Sequence, residues 1–357
     1  MRISVVASEL PHPQGTAAGR DLWAWCEGLR ALGHELDAWI WRRSPSSPEG
    51  PVPEWCRYEP YEVGPMWRAH LRSIRDPRGH VARAGWEPAT GAVAVADHLW
   101  SEAAVSRFPK SVATFHFRTI ADARAVRRLR RSDIQMARAE RIAGRRAKLS
   151  LVYSERLGRR LRGPVRYVPI ALEIPVDAVP CVERPVAALM ADWSWPPNRT
   201  SLKWLFEAWP RVRRDVPGAR LLIGGRGSED IGTAASAGVE VVGAVARSED
   251  LLSQAAVIAF PCPASSGPKV KVLEALAHGV PVVTTPPGIE GLVLEPETGA
   301  VAVGLREFPG ALADLLRSPE QRAKLGASGR DQISEHHSPV ASARARVRAF
   351  SEAFGAG

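Results

Sequence analysis

Cysteine is scarce in this chain, and what there is has no pattern. Cys26, Cys56, Cys181 and Cys262 are scattered through 357 positions without a CxxC pair. That excludes a disulfide framework and a cysteine zinc site, and leaves reduced, structural thiols. The histidines lack HExxH or any similar ligand spacing, so no structural metal is expected. No apolar run approaches the roughly 18 residues of a membrane span. The start, MRISVVASELPHPQG, has a single Arg, a short apolar run, then Pro and His. It reads as a first buried strand rather than a secretory leader, which makes the cytoplasm the expected location. Neither a zinc finger nor an RNP sequence occurs, so no nucleic-acid partner is expected.

Acidic residues are also outnumbered. There are 48 Lys and Arg against 38 Asp and Glu, a net charge of +10. The excess is mostly Arg and is dense from Arg118 to Arg166, in RAVRRLRRSD, RAERIAGRRAK and RLGRRLRG. A positive field suits phosphorylated substrates or anionic lipid. A solvated helix face is the other reading. Weak association with the anionic inner face of a membrane is the partner expectation that follows from the first.

What is present is a repeated alternation of strands and helices. A soft prior of about 150 residues per domain suggests two domains for this length. Ile3–Ala7 is a buried strand, Pro11–Gly19 a loop, Asp21–Leu32 an amphipathic helix ended by Gly33, and Glu35–Trp41 the next strand. The loop lies at the carboxyl end of the first strand, where open α/β sheets bind ligands. Arg43–Pro65 reads as a long surface loop, and Ala92–Ala96, Ser111–His116, Leu149–Ser154 and Val165–Val168 as strands. A Pro-rich linker then precedes a second series: Val186–Met190, Arg220–Gly224, Glu240–Val242, Val257–Phe260, Val280–Thr284 and Ala300–Val303. Helices Arg199–Arg214 and Val270–His278 fall between them, and Glu307–Phe354 reads as helices. The expected fold is α/β, with two Rossmann-like, doubly wound domains facing a cleft. The boundaries are 1–168 for an acceptor domain, 169–184 for the linker, 185–335 for a nucleotide domain, and 336–357 for a C-terminal helix packing back on the first.

The stretch Ser265–Thr285 carries the chemistry. A buried strand ends at Phe260, Pro261, Pro263 and Gly267 break the chain, and a helix follows at once. The first N–H groups of that helix lack helical partners and its dipole adds positive potential, which suits a phosphate. Lys269 and Lys271 sit at the same end, where a cation is unfavourable unless an anion joins it. Lys271, Glu274 and His278 share one helix face, and Leu273 and Leu276 lie on the other. A carboxylate one turn into the helix can accept hydrogen bonds from vicinal ribose hydroxyls. An exposed Lys–Glu pair on an ordinary amphipathic helix is the alternative.

This stretch resembles the nucleotide-binding segment of GT-B glycosyltransferases, in particular retaining glycosyltransferase family 4. It is most like a subgroup with a Gly-x-Lys-x-Lys-Val-Leu-Glu-Ala run, here Gly267, Lys269, Lys271, Val272, Leu273, Glu274 and Ala275. WSWPPNRTSLKWLFEAWPRVRRDVPGARLLIGGRG is similar to that subgroup's Pro-Asn helix and following strand. The resemblance runs from Val186 to Leu292. It implies a metal-independent enzyme without cofactor, using a nucleoside-diphosphate sugar (of uridine, guanosine or thymidine) as donor. Glu274 would bind the ribose, and Gly267, Lys269 and the adjacent Ser266 and Val270 would hold the diphosphate. Gly15 and Thr16 would close over the donor phosphates, and His116, in VATFHF, would sit beside the transferred sugar. A histidine at a strand end is also commonly structural.

The chain departs from the family pattern at three points. Ser266 stands where many members have the first of two Glu residues. Asp192 and Asn198 stand where many have a diphosphate-binding Arg and Lys; Arg199, Lys203 and Arg226 are other sources of that charge, and Asn198, Arg199 and Arg226 remain donor-site candidates. The implied reaction is sugar transfer to an acceptor hydroxyl (on a sugar, lipid-linked or small molecule) with retention. Rival readings are a nucleotide-sugar 2-epimerase, an inverting GT-B enzyme, and a non-catalytic GT-B partner subunit. Trp23, Trp25, Trp39, Trp41, Trp67, Trp86 and Trp100 offer either a core or flat faces for an acceptor.

Overall fold

The computed structural model describes residues 1–42, 51–60, 86–118, 123, 130–159, 161–231, 237–263 and 267–355. These form two units, each built on one parallel sheet. No helix among the described residues is long and apolar enough to cross a membrane.

The first unit has strands β1 (Arg2–Ala7), β2 (Glu35–Arg42), β3 (Cys56–Pro60), β4 (Val93–Ala96), β5 (Ser111–Phe115), β6 (Leu149–Val152) and β7 (Val165–Tyr167). They lie in the order β3-β2-β1-β4-β5-β6-β7. Ile3, Val5 and Val6 are fully buried because helices cover both sheet faces, and the one buried polar residue among them, Ser4, donates its hydroxyl to Asp37 at 2.6 Å. The expected surface loop 43–65 is corrected by β3, which pairs in parallel with the outer side of β2. An edge strand flanked by prolines carries little of the pattern that marks a buried one. The helices are α1 (Ala17–Ala31), α2 (Glu102–Val105), α3 (Arg131–Arg146) and α4 (Glu155–Gly158). α1 begins four residues earlier than expected, at a cap: Thr16 Oγ1 accepts the Gly19 N–H at 3.1 Å. On α3, Arg131, Ile134, Arg138, Arg141 and Arg145 form one exposed stripe, while Ala139, Glu140 and Ala143 face inward. Part of the Arg118–Arg166 stretch lies outside the described residues.

The second unit has β8 (Val186–Met190), β9 (Arg220–Gly224), β10 (Val239–Gly243), β11 (Val257–Phe260), β12 (Val282–Thr284) and β13 (Ala300–Ala302), in the order β10-β9-β8-β11-β12-β13. Its helices are α5 (Pro196–Asp215), α6 (Ser248–Leu252), α7 (Val270–Ala277), α8 (Phe308–Arg317) and α9 (Pro319–His337). The buried Arg322 ends α8: its Nη1 donates to the carbonyls of Leu315 and Leu316 at 3.0 and 2.7 Å. Its Nη2 donates to Val182 and Glu183, tying the Pro-rich segment to this unit. The strand order reverses direction beside β8, between β8 and β11, and in open α/β sheets ligands bind at the carboxyl edge of such a point. Gly225, just after β9, has φ +110°, and a Cβ there would run into the Ala191 carbonyl. Gly225→Ala combines left-handed strain with a backbone collision, and we expect a loss of at least about 2 kcal/mol, read from urea unfolding. An unchanged midpoint would show that this loop relaxes freely.

The last helix, α10 (Pro339–Phe354), groups with the first unit. It packs on α1 at a point where a side chain on Gly28 would strike the Pro339 carbonyl. Arg346 is its buried anchor. Its guanidinium donates to Tyr153 Oη at 3.0 Å and lies 3.9 Å from Asp21 Oδ2, with the Trp25 ring 4.9 Å away. Tyr153 donates to Asp21 Oδ2, and Asp21 Oδ1 accepts the Ala171 N–H at 2.7 Å. Trp25, Trp39 and Trp41 are core residues, and Trp86 packs edge-on against Phe108. Trp67 and the Trp100 side chain lie outside the described residues.

Candidate functional site

The second unit gathers several of its candidate side chains at the carboxyl edge, around the start of α7. Gly267 takes φ +77°, turning the chain from the loop after β11 into the helix. Lys269 is the N-cap residue, and its ammonium folds back onto the Gly267 carbonyl. Val270 is the first helical residue, so its N–H is among those without a helical acceptor. Lys271 follows. Its Nζ donates to Asn198 Oδ1 at 2.7 Å and lies 4.4 Å from the Phe260 ring centroid. Asn198 Nδ2 donates to the Asp192 carbonyl at 2.7 Å. A carbonyl only accepts and an ammonium only donates, so these two contacts fix which way the Asn198 amide points. Burial lowers the Lys271 pKa to about 8, and nearby Lys269 pushes it the same way.

Glu274 stands one turn further on the same face, only 6% exposed, and accepts a hydrogen bond from Ser248 Oγ. Arg199 is exposed, and its Nε donates to the Trp193 carbonyl at 2.6 Å. Arg226 is 84% exposed and lies 3.7 Å from Asp192. Asp192 Oδ1 accepts from the Ser194 N–H and hydroxyl, which holds the carboxyl below its ordinary pKa. Ser266 lies outside the described residues.

The first unit has a second cluster at the carboxyl ends of β4 and β5. His116 Nε2 donates to the Asp97 carbonyl and lies 3.7 Å from Asp97 Oδ2. The Tyr153 ring meets His116 edge-on at 5.0 Å, and His98 lies 5.6 Å away. Burial pushes the Asp97 carboxyl up to about 6, with His116 opposing it. Burial takes His98 down to about 3, so it stays neutral. A pocket lined by His98, Thr114, Phe115, His116, Met136 and Glu140 opens here. In the loop after β1, the Gly15 N–H donates to the His12 carbonyl at 3.1 Å, and Thr16 Oγ1 donates to Glu9 while capping α1. Sequence reasoning missed Ser248 and Asp97. Ser248 is 26 positions from Glu274, and no local pattern links them.

These arrangements can be set beside known proteins. Residues 184–318 match the family described as Glycosyl transferases group 1. The matched region contains every residue of the α7 cluster. A relative in Corynebacterium glutamicum, the GDP-mannose-dependent monoacylated alpha-(1-6)-phosphatidylinositol monomannoside mannosyltransferase, is 31% identical over 144 residues. That alignment takes in 36% of this chain and 38% of the relative, well under two thirds of its length. Sucrose-phosphate synthase from Thermosynechococcus elongatus superposes over 100% of both chains, with TM-score 0.75 and 15% identity. Anabaena HepE, in complex with UDP-glucose, superposes over 99% of this chain and 100% of its own, with TM-score 0.67 and 14% identity. At such identities the likeness concerns the fold, which is GT-B.

Proposed function

We propose that the protein moves a sugar from a nucleoside-diphosphate sugar to an acceptor hydroxyl, with retention at the anomeric carbon. The observation that carries this is the run Gly267, Lys269, Lys271 and Glu274 at the start of α7, inside the group 1 match. A helix start with two ammonium groups stabilises the diphosphate as it leaves and gains charge. Glu274 holds the ribose. The acceptor hydroxyl attacks on the face from which the diphosphate departs, and the leaving phosphate takes its proton. In the first unit the candidate sugar contact is His116, whose Nε2–H is donated to the Asp97 carbonyl. The C. glutamicum relative is named for GDP-mannose and HepE was captured with UDP-glucose, which supports a nucleotide-sugar donor and leaves the base to experiment. The exposed Arg stripe of α3, with Ile134 56% exposed among it, supports an acceptor presented at an anionic membrane face.

A thermal-shift panel of uridine, guanosine, thymidine and adenosine diphosphates tests the donor reading. A ligand at 100 times its dissociation constant stabilises by about 2.7 kcal/mol, so one base should stand out. A flat response to all four would remove the donor site.

A further inference from the structure

A lysine ammonium drawn out of water needs an anion or a full set of acceptors. Lys271 is half-buried, and among the described residues its polar acceptor is the neutral Asn198 amide, with an aromatic face beside it. The carboxylate that acts on it, Asp192, is occupied by Ser194 and faces Arg226. Lys269 repels it from the same helix end. Such a cluster is unfavourable when empty and is relieved by a dianion. The other candidate cations do not meet this need. Arg199 is exposed with its Nε on a backbone carbonyl, Arg226 is in solvent, and Lys203 is 75% exposed beside Glu207.

We propose that Lys271 is the cation that holds the donor diphosphate, standing in for the charge that position 198 lacks, with Asn198 as the bracket that fixes its ammonium. The assignment rests on the donor-site reading above. In a helix, positions 271 and 274 stand about 5–6 Å apart at Cβ, so one nucleotide reaches both with its diphosphate and ribose. Charge has thus moved from the helix after β8 to the helix after β11, and the 2.7 Å contact joins the two positions. Binding has a proton signature. The ammonium is easily lost in the empty site, with pKa about 8, and is retained once a dianion arrives. Protons are taken up on binding near pH 8, and affinity falls as pH rises through that value. The groups facing Lys271 are Lys269, Cys262 and Asp192, the last keeping its charge throughout because its pKa is lowered.

The test is calorimetric titration of UDP and GDP, and of uridine and guanosine, into the full chain. For the base that binds, Lys271→Met should weaken the diphosphate about 10- to 100-fold, the worth of one charged hydrogen bond, and leave the nucleoside unchanged. Asn198→Lys combined with Lys271→Met moves the ammonium back across the contact and should recover most of the loss. Wild-type affinity should fall from pH 7 to 9, with proton uptake at pH 8 in two buffers of different ionisation heat. Equal losses for diphosphate and nucleoside, or no loss, overturn the assignment. So does an absence of proton uptake in the wild type, a readout that needs no variant to fold. If the wild type binds neither diphosphate, the donor-site reading itself falls; if it binds one and the variants match it, only the Lys271 assignment does.

Discussion

Glu274→Ala should weaken nucleoside diphosphate binding by about 100-fold or more while leaving the fold intact. On the proposed donor reading this buried carboxylate would accept two ribose hydroxyls in two charge-assisted hydrogen bonds, each worth about 1.5–3 kcal/mol. Losing both costs about 3–5 kcal/mol, and every 1.4 kcal/mol is roughly tenfold in affinity. The neighbouring Ser248 hydroxyl holds the carboxylate in place, so the group is pre-oriented before ligand arrives. Titration of the variant by calorimetry decides the matter. Wild-type affinity with the alanine in place would show that Glu274 faces no ribose.

The second large effect is on stability. Arg346→Met should cost the first unit about 3–5 kcal/mol, the typical result of removing one partner from a buried charge pair. The methionine fills the space but leaves Asp21 with its charge at 1% exposure. Far-ultraviolet circular dichroism through a urea titration reads the loss. Adding Asp21→Asn to the variant should restore part of the loss, because the stranded charge is then gone. A single variant that unfolds at the wild-type midpoint would mean that the pair contributes nothing.

How much of this was legible in the sequence depended on burial. Val186–Met190, Arg220–Gly224 and Val257–Phe260 were read to the residue because strands covered on both faces are mostly apolar runs, broken here only by the exposed Arg220 at a strand start. β3 was missed because an edge strand is half-dressed in polar and Pro residues. The start of α1 was placed late because a Thr cap followed by Ala, Ala and Gly looks like more loop. Within the site, the spacing of Lys271 and Glu274 was visible as a helix face. The Asn198 contact was not, since it spans 73 positions and depends on β8 and β11 being neighbours. The tryptophans of the first half show the limit of residue type as a guide: Trp25, Trp39 and Trp41 are interior packing.

The return of α10 to the first unit has a consequence for synthesis. Asp21 and Tyr153 leave the ribosome long before Arg346 exists to neutralise them. The first unit starts to emerge before the second and is completed after it, whereas residues 174–336 hold all of the second unit's described strands and can close on themselves in passing. A growing chain therefore carries an unfinished first half, with the face of α1 that α10 covers still open until the last helix is made.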